Sequence, residues 1–177
     1  MARLTLPTRE TLAPEIQARW DRASERGPLL NIMRLLMVNP EIRLDALSVW
    51  RASGLTPRVR ELVILRAAFA RQSRYEWHQH VRIARDAGLS DAEIDGVTDW
   101  ATSGLFSADE RALLAYVDEL AANQRPSDAA FAAIREGRTD AEVVGITMLI
   151  TLYFQLAQMM AAFDLETEVP FVGWQVG

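Results

Sequence analysis

The chain has no cysteine and no lysine; all 19 of its basic residues are arginine. Without cysteine there can be no disulfide, thiolate metal site, Cys-x-x-Cys redox centre or cysteine nucleophile. Without lysine, Schiff-base catalysis and the lysine of a phosphate-binding P-loop are excluded. Histidine is scarce as well, with only His78 and His80. Proton transfer near neutral pH therefore falls to one of them, or to a carboxyl or tyrosine whose pKa is displaced. Positive charge is also in deficit: 19 arginines face 24 acidic residues, for a net charge of -5. No large cationic face is left for nucleic acid or an anionic membrane, so neither is expected as a partner.

What remains is a globular composition of 177 residues, 50% hydrophobic and 24% charged, enough for one domain with a sizeable core. The first twenty residues hold no apolar run of signal-peptide length and mix glutamate with arginine, so a cytoplasmic location is expected. One segment has spanning length: Val143 to Phe163 runs 21 residues without a formal charge. It carries Thr147, Thr151, Tyr153, Gln155 and Gln158, and a helix apolar on all sides also suits a core or a subunit interface, which is the reading adopted.

Helix punctuation dominates the chain. Four Ser/Thr-x-x-Glu capping boxes are predicted, at Ser73/Glu76, Ser90/Glu93, Ser107/Glu110 and Thr139/Glu142. Gly27, Gly54 and Gly88 mark stops, and Thr56-Pro57 marks a start. The spacing predicts helices near 13–26, 29–38, 40–53, 57–70, 73–87, 90–101, 108–123, 127–136 and 140–164. No alternating strand pattern competes with these, so the fold class is all-α, a single domain. The apolar tail 170–177 is too broken for a helix and is expected to pack on its own core or on a neighbouring subunit.

Residues able to carry chemistry gather between 57 and 80. Glu61 shares a helix face with Ile64, Leu65 and Ala68, which points its carboxylate inward; pairing with Arg58 at the surface is the alternative. Glu76 and His80 stand four apart, on one face of the next helix, although Glu76 also suits the capping box of Ser73 and His80 also suits a hydrogen-bonded core histidine. His78 lies about 200° round that helix from His80 and is expected to face solvent. Glu76-x-His78-x-His80 diverges on a helix, and no third histidine completes a metal site, so no metal is expected.

These residues are similar to the signature of the carboxymuconolactone decarboxylase family, whose other branch is the alkyl hydroperoxidase D-like proteins. That signature is Glu, eleven residues, Cys-x-x-Cys, three residues, His, then Ala and Gly four and eight positions on. Here the same spacing reads Glu61, Ser73-x-x-Glu76, His80, Ala84 and Gly88. Further similarity lies in Arg60–Arg66, Tyr75–Trp77, Ala87–Ile94 and Phe106–Leu114. The resemblance covers roughly 28–165, and implies an N-terminal helical extension over 1–27, an all-α bundle over 28–165 and an apolar tail over 166–177. It also implies a homotrimer or homohexamer, which the uncharged 143–163 helix and the apolar tail favour on physical grounds.

Ser73 and Glu76 stand where the family's cysteines would, so hydroperoxide reductase activity has no physical basis in this chain. The resemblance then implies a cofactor-independent lyase of the decarboxylase type, acting on a small carboxylated lactone or related aromatic-degradation intermediate. His80 would shuttle the proton, Glu61 would fix its tautomer, and Glu76 would be a second proton-transfer or orienting group. A substrate carboxylate wants an arginine fork, for which Arg60, Arg66 and Arg34 are candidates, with Tyr75, Trp77 and Ser73 as further pocket residues. A non-catalytic ligand-binding or scaffold protein, and a hydratase or isomerase using the same residues, are the alternatives.

Overall fold

The computed structural model describes residues 3–25, 27–39, 41–123 and 125–177. Among them are nine α-helices and no strand: α1 Pro14–Ser24, α2 Asn31–Met37, α3 Ala46–Ala52, α4 Pro57–Ala70, α5 Arg74–Asp86, α6 Asp91–Gly96, α7 Ala108–Ala122, α8 Asp128–Arg135 and α9 Asp140–Ala162. The all-α reading of the sequence holds, and most helices begin where their caps predict. Three capping boxes close reciprocally, at Ser90/Glu93, Ser107/Glu110 and Thr139/Glu142. The fourth does not: Ser73 makes no side-chain cap bond, and Glu76 turns inward instead.

Two helices are shorter than predicted. In place of a helix over 40–53, α3 begins at Ala46, because Asp45 takes the N-cap position and accepts from the Ser48 amide (3.0 Å); residue 40 lies outside the described residues. The helix predicted over 90–101 stops at Gly96. Beyond it the backbone tightens into three-residue turns, and Arg66 Nη1 takes up the Val97 and Thr98 carbonyls at 3.0 Å each.

Helix α4 is the axis of the fold, packing against α5, α7 and α9. Its apolar residues supply two cores. Val63, Ile64 and Ala67 join α7 and α9 residues such as Leu113, Val117, Ile146 and Ile150. Leu62, Leu65 and Ala68 join Trp77, Val81, Ile94 and Leu114. A helix feeding two cores has no apolar stripe to read, which is why its sequence is hydrophobic nearly all round. Arg58 in its first turn pairs with Glu93 and Glu110, the first-turn N3 carboxylates of two capping boxes, tying the starts of α4, α6 and α7 together.

The long uncharged segment is the core helix α9. It is the one helix among the described residues long and apolar enough to cross a membrane, and 61% of its most apolar window is buried inside the protein. The tail folds back on its own chain: Trp174 lies 5.4 Å from Trp77 and 5.5 Å from Phe69, ring centre to ring centre. Asp95 accepts from the Val176 amide at 2.6 Å.

At Gly145, α9 comes into close backbone contact with the end of α3. A Cβ there would overlap the Ala52 carbonyl and come within 2.8 Å of the Ser53 amide nitrogen. Both partners are backbone and cannot swing aside, so Gly145→Ala is expected to cost about 3 kcal/mol. The corresponding fall in Tm is roughly 6–12 °C. A thermal melt within about 2 °C of the wild type would show that this contact does not constrain the fold.

Candidate active site

The carboxyl of Glu61, one turn into α4, is completely buried. Two neighbours answer it: Arg60 Nε donates to Oε1 at 3.1 Å, and His80 Nδ1 lies 2.6 Å from Oε2. A carboxylate only accepts, so His80 carries its proton on Nδ1 and leaves Nε2 free to take or give one. Arg58 is not the partner of Glu61, since its guanidinium is spent on Glu93 and Glu110.

Around this pair stands an aromatic frame. Tyr153 of α9 meets the His80 ring edge-on at 5.0 Å, and its hydroxyl accepts from Trp50 Nε1 at 3.1 Å. Burial, with Glu61 close by, pushes the Tyr153 phenol well above its usual range, so it stays protonated. The Arg60 guanidinium lies 4.3 Å from the centre of the Trp50 ring, closing the circuit back to Glu61.

His80 and Tyr153 open onto a cavity of about 390 Å³, a size typical of small-molecule sites. Helices α5 and α9 supply one wall, with Tyr75, Glu76, Gln79, His80, Tyr153 and Met160. The other is built by residues between Arg19 and Trp50. Its lining is almost wholly apolar apart from the groups just named. The two walls are latched by Glu168, whose carboxylate accepts from the Tyr75 hydroxyl (2.6 Å), Gln79 Nε2 (2.6 Å) and the Asn31 amide (2.5 Å).

Glu76 is the anomaly of the site. It is buried, lines the cavity, and neither carboxyl oxygen has a hydrogen-bond partner among the described residues. Burial drives its pKa well above the ordinary carboxyl range, and the Ser73 hydroxyl, near the carboxyl but outside hydrogen-bond geometry, offsets this only in part. Two acidic groups thus stand on the same histidine's surroundings in opposite settings: Glu61 held by two donors, Glu76 by none.

The remaining sequence candidates separate. Tyr75 lines the cavity. Trp77 does not; it is fully buried in the second core, against Phe69 and Trp174. Ser73 is buried beside Glu76 but is not part of the lining. Among the arginines, Arg66 forks onto Asp118 at 2.5 and 2.8 Å, and Arg34 binds the Leu6 and Pro7 carbonyls and Asn31, so neither faces the cavity. Arg60 acts on Glu61 from behind. The arginine of the lining is Arg19, for which the sequence carries no signal, being one of many on a surface helix. Tyr153 and Trp50 were equally hidden, although a tyrosine inside a long uncharged helix is a group that needs a polar partner. His78 accepts from the Val172 amide at 3.2 Å, outside the cavity. Among the described residues no three His, Asp or Glu side chains converge as a metal site would require.

Because Glu76 is neutral in the folded protein up to a pKa above its unfolded value, ionising it opposes folding. Its stabilising contribution is complete below the unfolded value near 4.5 and is lost as pH rises through the folded one. Glu76→Gln is therefore expected to be more stable than wild type above that lower limit. The gap should widen with pH by at most ~1.4 kcal/mol per unit before levelling off. Urea denaturation at a series of pH values measures this, and parallel stability curves for the two proteins would contradict it.

Comparison with known proteins agrees with this architecture. The pattern of the carboxymuconolactone decarboxylase family matches residues 42–119, a span that includes Glu61, Glu76 and His80. No curated protein matches the chain. A protein of unknown function from Agrobacterium tumefaciens, named for AhpD-type antioxidant defence, is 28% identical over 75% of this chain and 94% of its own, with a TM-score of 0.68. The alkylhydroperoxidase AhpD core of a peroxidase-related protein from Ralstonia eutropha JMP134 has a TM-score of 0.80 at 21% identity, covering 99% of this chain and 97% of its own. The debrominase Bmp8, solved with 2,3,4-tribromopyrrole, has a TM-score of 0.77 at 16% identity, covering 96% and 95%. The last two are likenesses of fold.

Proposed function

We propose that this chain, whose residues 42–119 match the carboxymuconolactone decarboxylase family and which has no cysteine, is a cofactor-independent lyase acting by proton transfer centred on His80. The observation that carries this reading is the buried 2.6 Å bond from His80 Nδ1 to Glu61, which leaves Nε2 of the same ring as the proton-exchanging atom at the cavity. The substrate is a small unsaturated acid, with a carboxylated lactone as the type case.

In the step proposed, the bond between ring carbon and departing carboxylate breaks and CO2 leaves. The electron pair enters the conjugated lactone carbonyl, and a proton that His80 Nε2 has first taken from solvent then goes to carbon, leaving the imidazole neutral and the product with one carboxylate fewer. Glu61 stabilises the imidazolium that precedes this transfer. Glu76, uncharged, offers its O–H to the oxygen on which negative charge develops, the role of a buried neutral carboxyl in an oxyanion site. An apolar cavity favours loss of a carboxylate charge, since the departing group is poorly solvated there. A double-bond isomerisation would use the same groups without loss of CO2.

The names of the peroxidase-related neighbours carry no chemistry across, because the chain has no thiol. A soluble cytoplasmic homo-oligomer, with the uncharged exposed face of α9 (Val144, Met148, Thr151, Gln155) as subunit contact, completes the reading; a monomeric mass by light scattering would contradict it.

The test is a continuous ultraviolet assay with 4-carboxymuconolactone and a panel of carboxylated lactones. His80→Ala is expected to lower turnover by about 10² to 10⁴ with the fold intact. Glu61→Gln should lower kcat and change its pH dependence, because an amide can hold the ring but not stabilise imidazolium. Turnover unchanged in His80→Ala would remove His80 from the reaction, and turnover without release of CO2 would favour the isomerase.

A further inference from the structure

The cavity has two chemically different walls. Helices α5 and α9 bring the proton-transfer groups. The facing wall runs from Arg19 to Trp50, and its part from Arg19 to Met37, supplied by α1, α2 and the chain between them, precedes the segment that matches the family. That wall is apolar, with Leu30, Ile32, Met33, Leu36 and Met37, and carries one cation, Arg19. Long, unbranched methionines make such a lining adaptable to an apolar body of irregular shape.

Arg19 is half-buried, and its Nη1 donates to the Ile42 carbonyl at 3.0 Å. Among the described residues no carboxylate pairs with it, whereas Arg58, Arg60, Arg66 and Arg138 each hold one. A guanidinium has five N–H donors, so a bond to one carbonyl leaves a fork available to an anion. On the other wall, both oxygens of buried Glu76 also lack partners. The cavity therefore presents a cation at one place and an unanswered carboxyl at another, with apolar surface between the elements that carry them.

We propose that Arg19 anchors an acidic group which the substrate retains through the reaction, and that the substrate is an apolar-bodied carboxylic acid filling the space between Arg19 and the His80–Glu76 wall. This rests on the reading of the site as a proton-transfer centre and narrows its substrate. The group that departs and the group that is held are different: the first lies in apolar surroundings at His80, the second at the guanidinium. Arg19 is thus a specificity-determining residue, placed by a helix outside the family-matched segment.

A binding measurement separates this from the fate of the reaction. The probes are 8-anilinonaphthalene-1-sulfonate and its neutral counterpart N-phenyl-1-naphthylamine, which differ by the sulfonate alone, titrated by fluorescence into the 177-residue protein. Arg19→Met keeps the length and apolar stem of the side chain and removes its charge. It is expected to weaken the anionic dye by about tenfold, while the neutral dye stays within about twofold. Arg19→Lys should recover most of the loss, because it restores the charge without the fork. His80→Ala should move both dyes together, leaving the ratio of their affinities within about twofold, so a failure of catalysis and a failure of this anchor read out independently. Decanoate should displace the anionic dye from wild type more effectively than decan-1-ol, and that preference should vanish in Arg19→Met. Equal affinity of the anionic dye for wild type and Arg19→Met would overturn the proposal, as would equal displacement by the acid and the alcohol.

Discussion

The hydrogen bond between His80 and Glu61 joins α5 to α4 at the point where the two cores meet, and most of the site follows from it. A carboxylate with no solvent contact is costly unless donors surround it. Here the donors are Arg60 on one oxygen and the imidazole on the other. Satisfying Glu61 in this way fixes the tautomer and the plane of His80, and Tyr153 packs edge-on against the ring that results. The tyrosine then needs a partner for its hydroxyl and finds Trp50, whose ring lies under the guanidinium of Arg60. A local requirement to neutralise one buried acid thus arranges residues from α3, α4, α5 and α9.

Glu76 shows the same residue type under the opposite constraint. It sits on α5 one turn before His80, buried in the cavity lining, and among the described residues neither of its oxygens has a hydrogen-bond partner. Environment alone divides the two carboxyl groups into a partnered acceptor and a neutral acid, the separation of protonation states that acid–base sites require. The position is one that the family signature fills with cysteine. With glutamate there, and serine three residues earlier, the fold keeps its pocket while the redox chemistry of thiol-bearing relatives has no atoms to use.

The cavity is completed by parts of the chain that lie outside the family-matched segment. Residues from α1 and α2 form the apolar wall, and Glu168, near the tail, holds that wall to α5 through Asn31, Tyr75 and Gln79. Proton-transfer groups and enclosing wall are therefore contributed by different stretches of sequence.

The sequence by itself determined the helices, because capping serines and threonines, N-terminal proline and C-terminal glycines act within a few residues of where they stand. It determined that thiol and amine chemistry are absent, and it brought Glu61, Glu76 and His80 forward, since their spacing is a property of helical periodicity and of a signature. Where cues conflicted locally, tertiary contacts decided. Ser73 and Glu76 have the form of a capping box, yet the carboxyl lies in the cavity; the segment after Gly96 has helical residues, yet Arg66 takes its carbonyls. Which arginine meets the cavity was also a tertiary decision. Arg34 and Arg66 are drawn to a backbone carbonyl and a carboxylate distant in sequence, Arg60 is held by the adjacent Glu61, and Arg19 reaches the site through the packing of α1, which no local pattern encodes. Periodicity says which residues share a face of one helix; only the packed molecule says what that face meets.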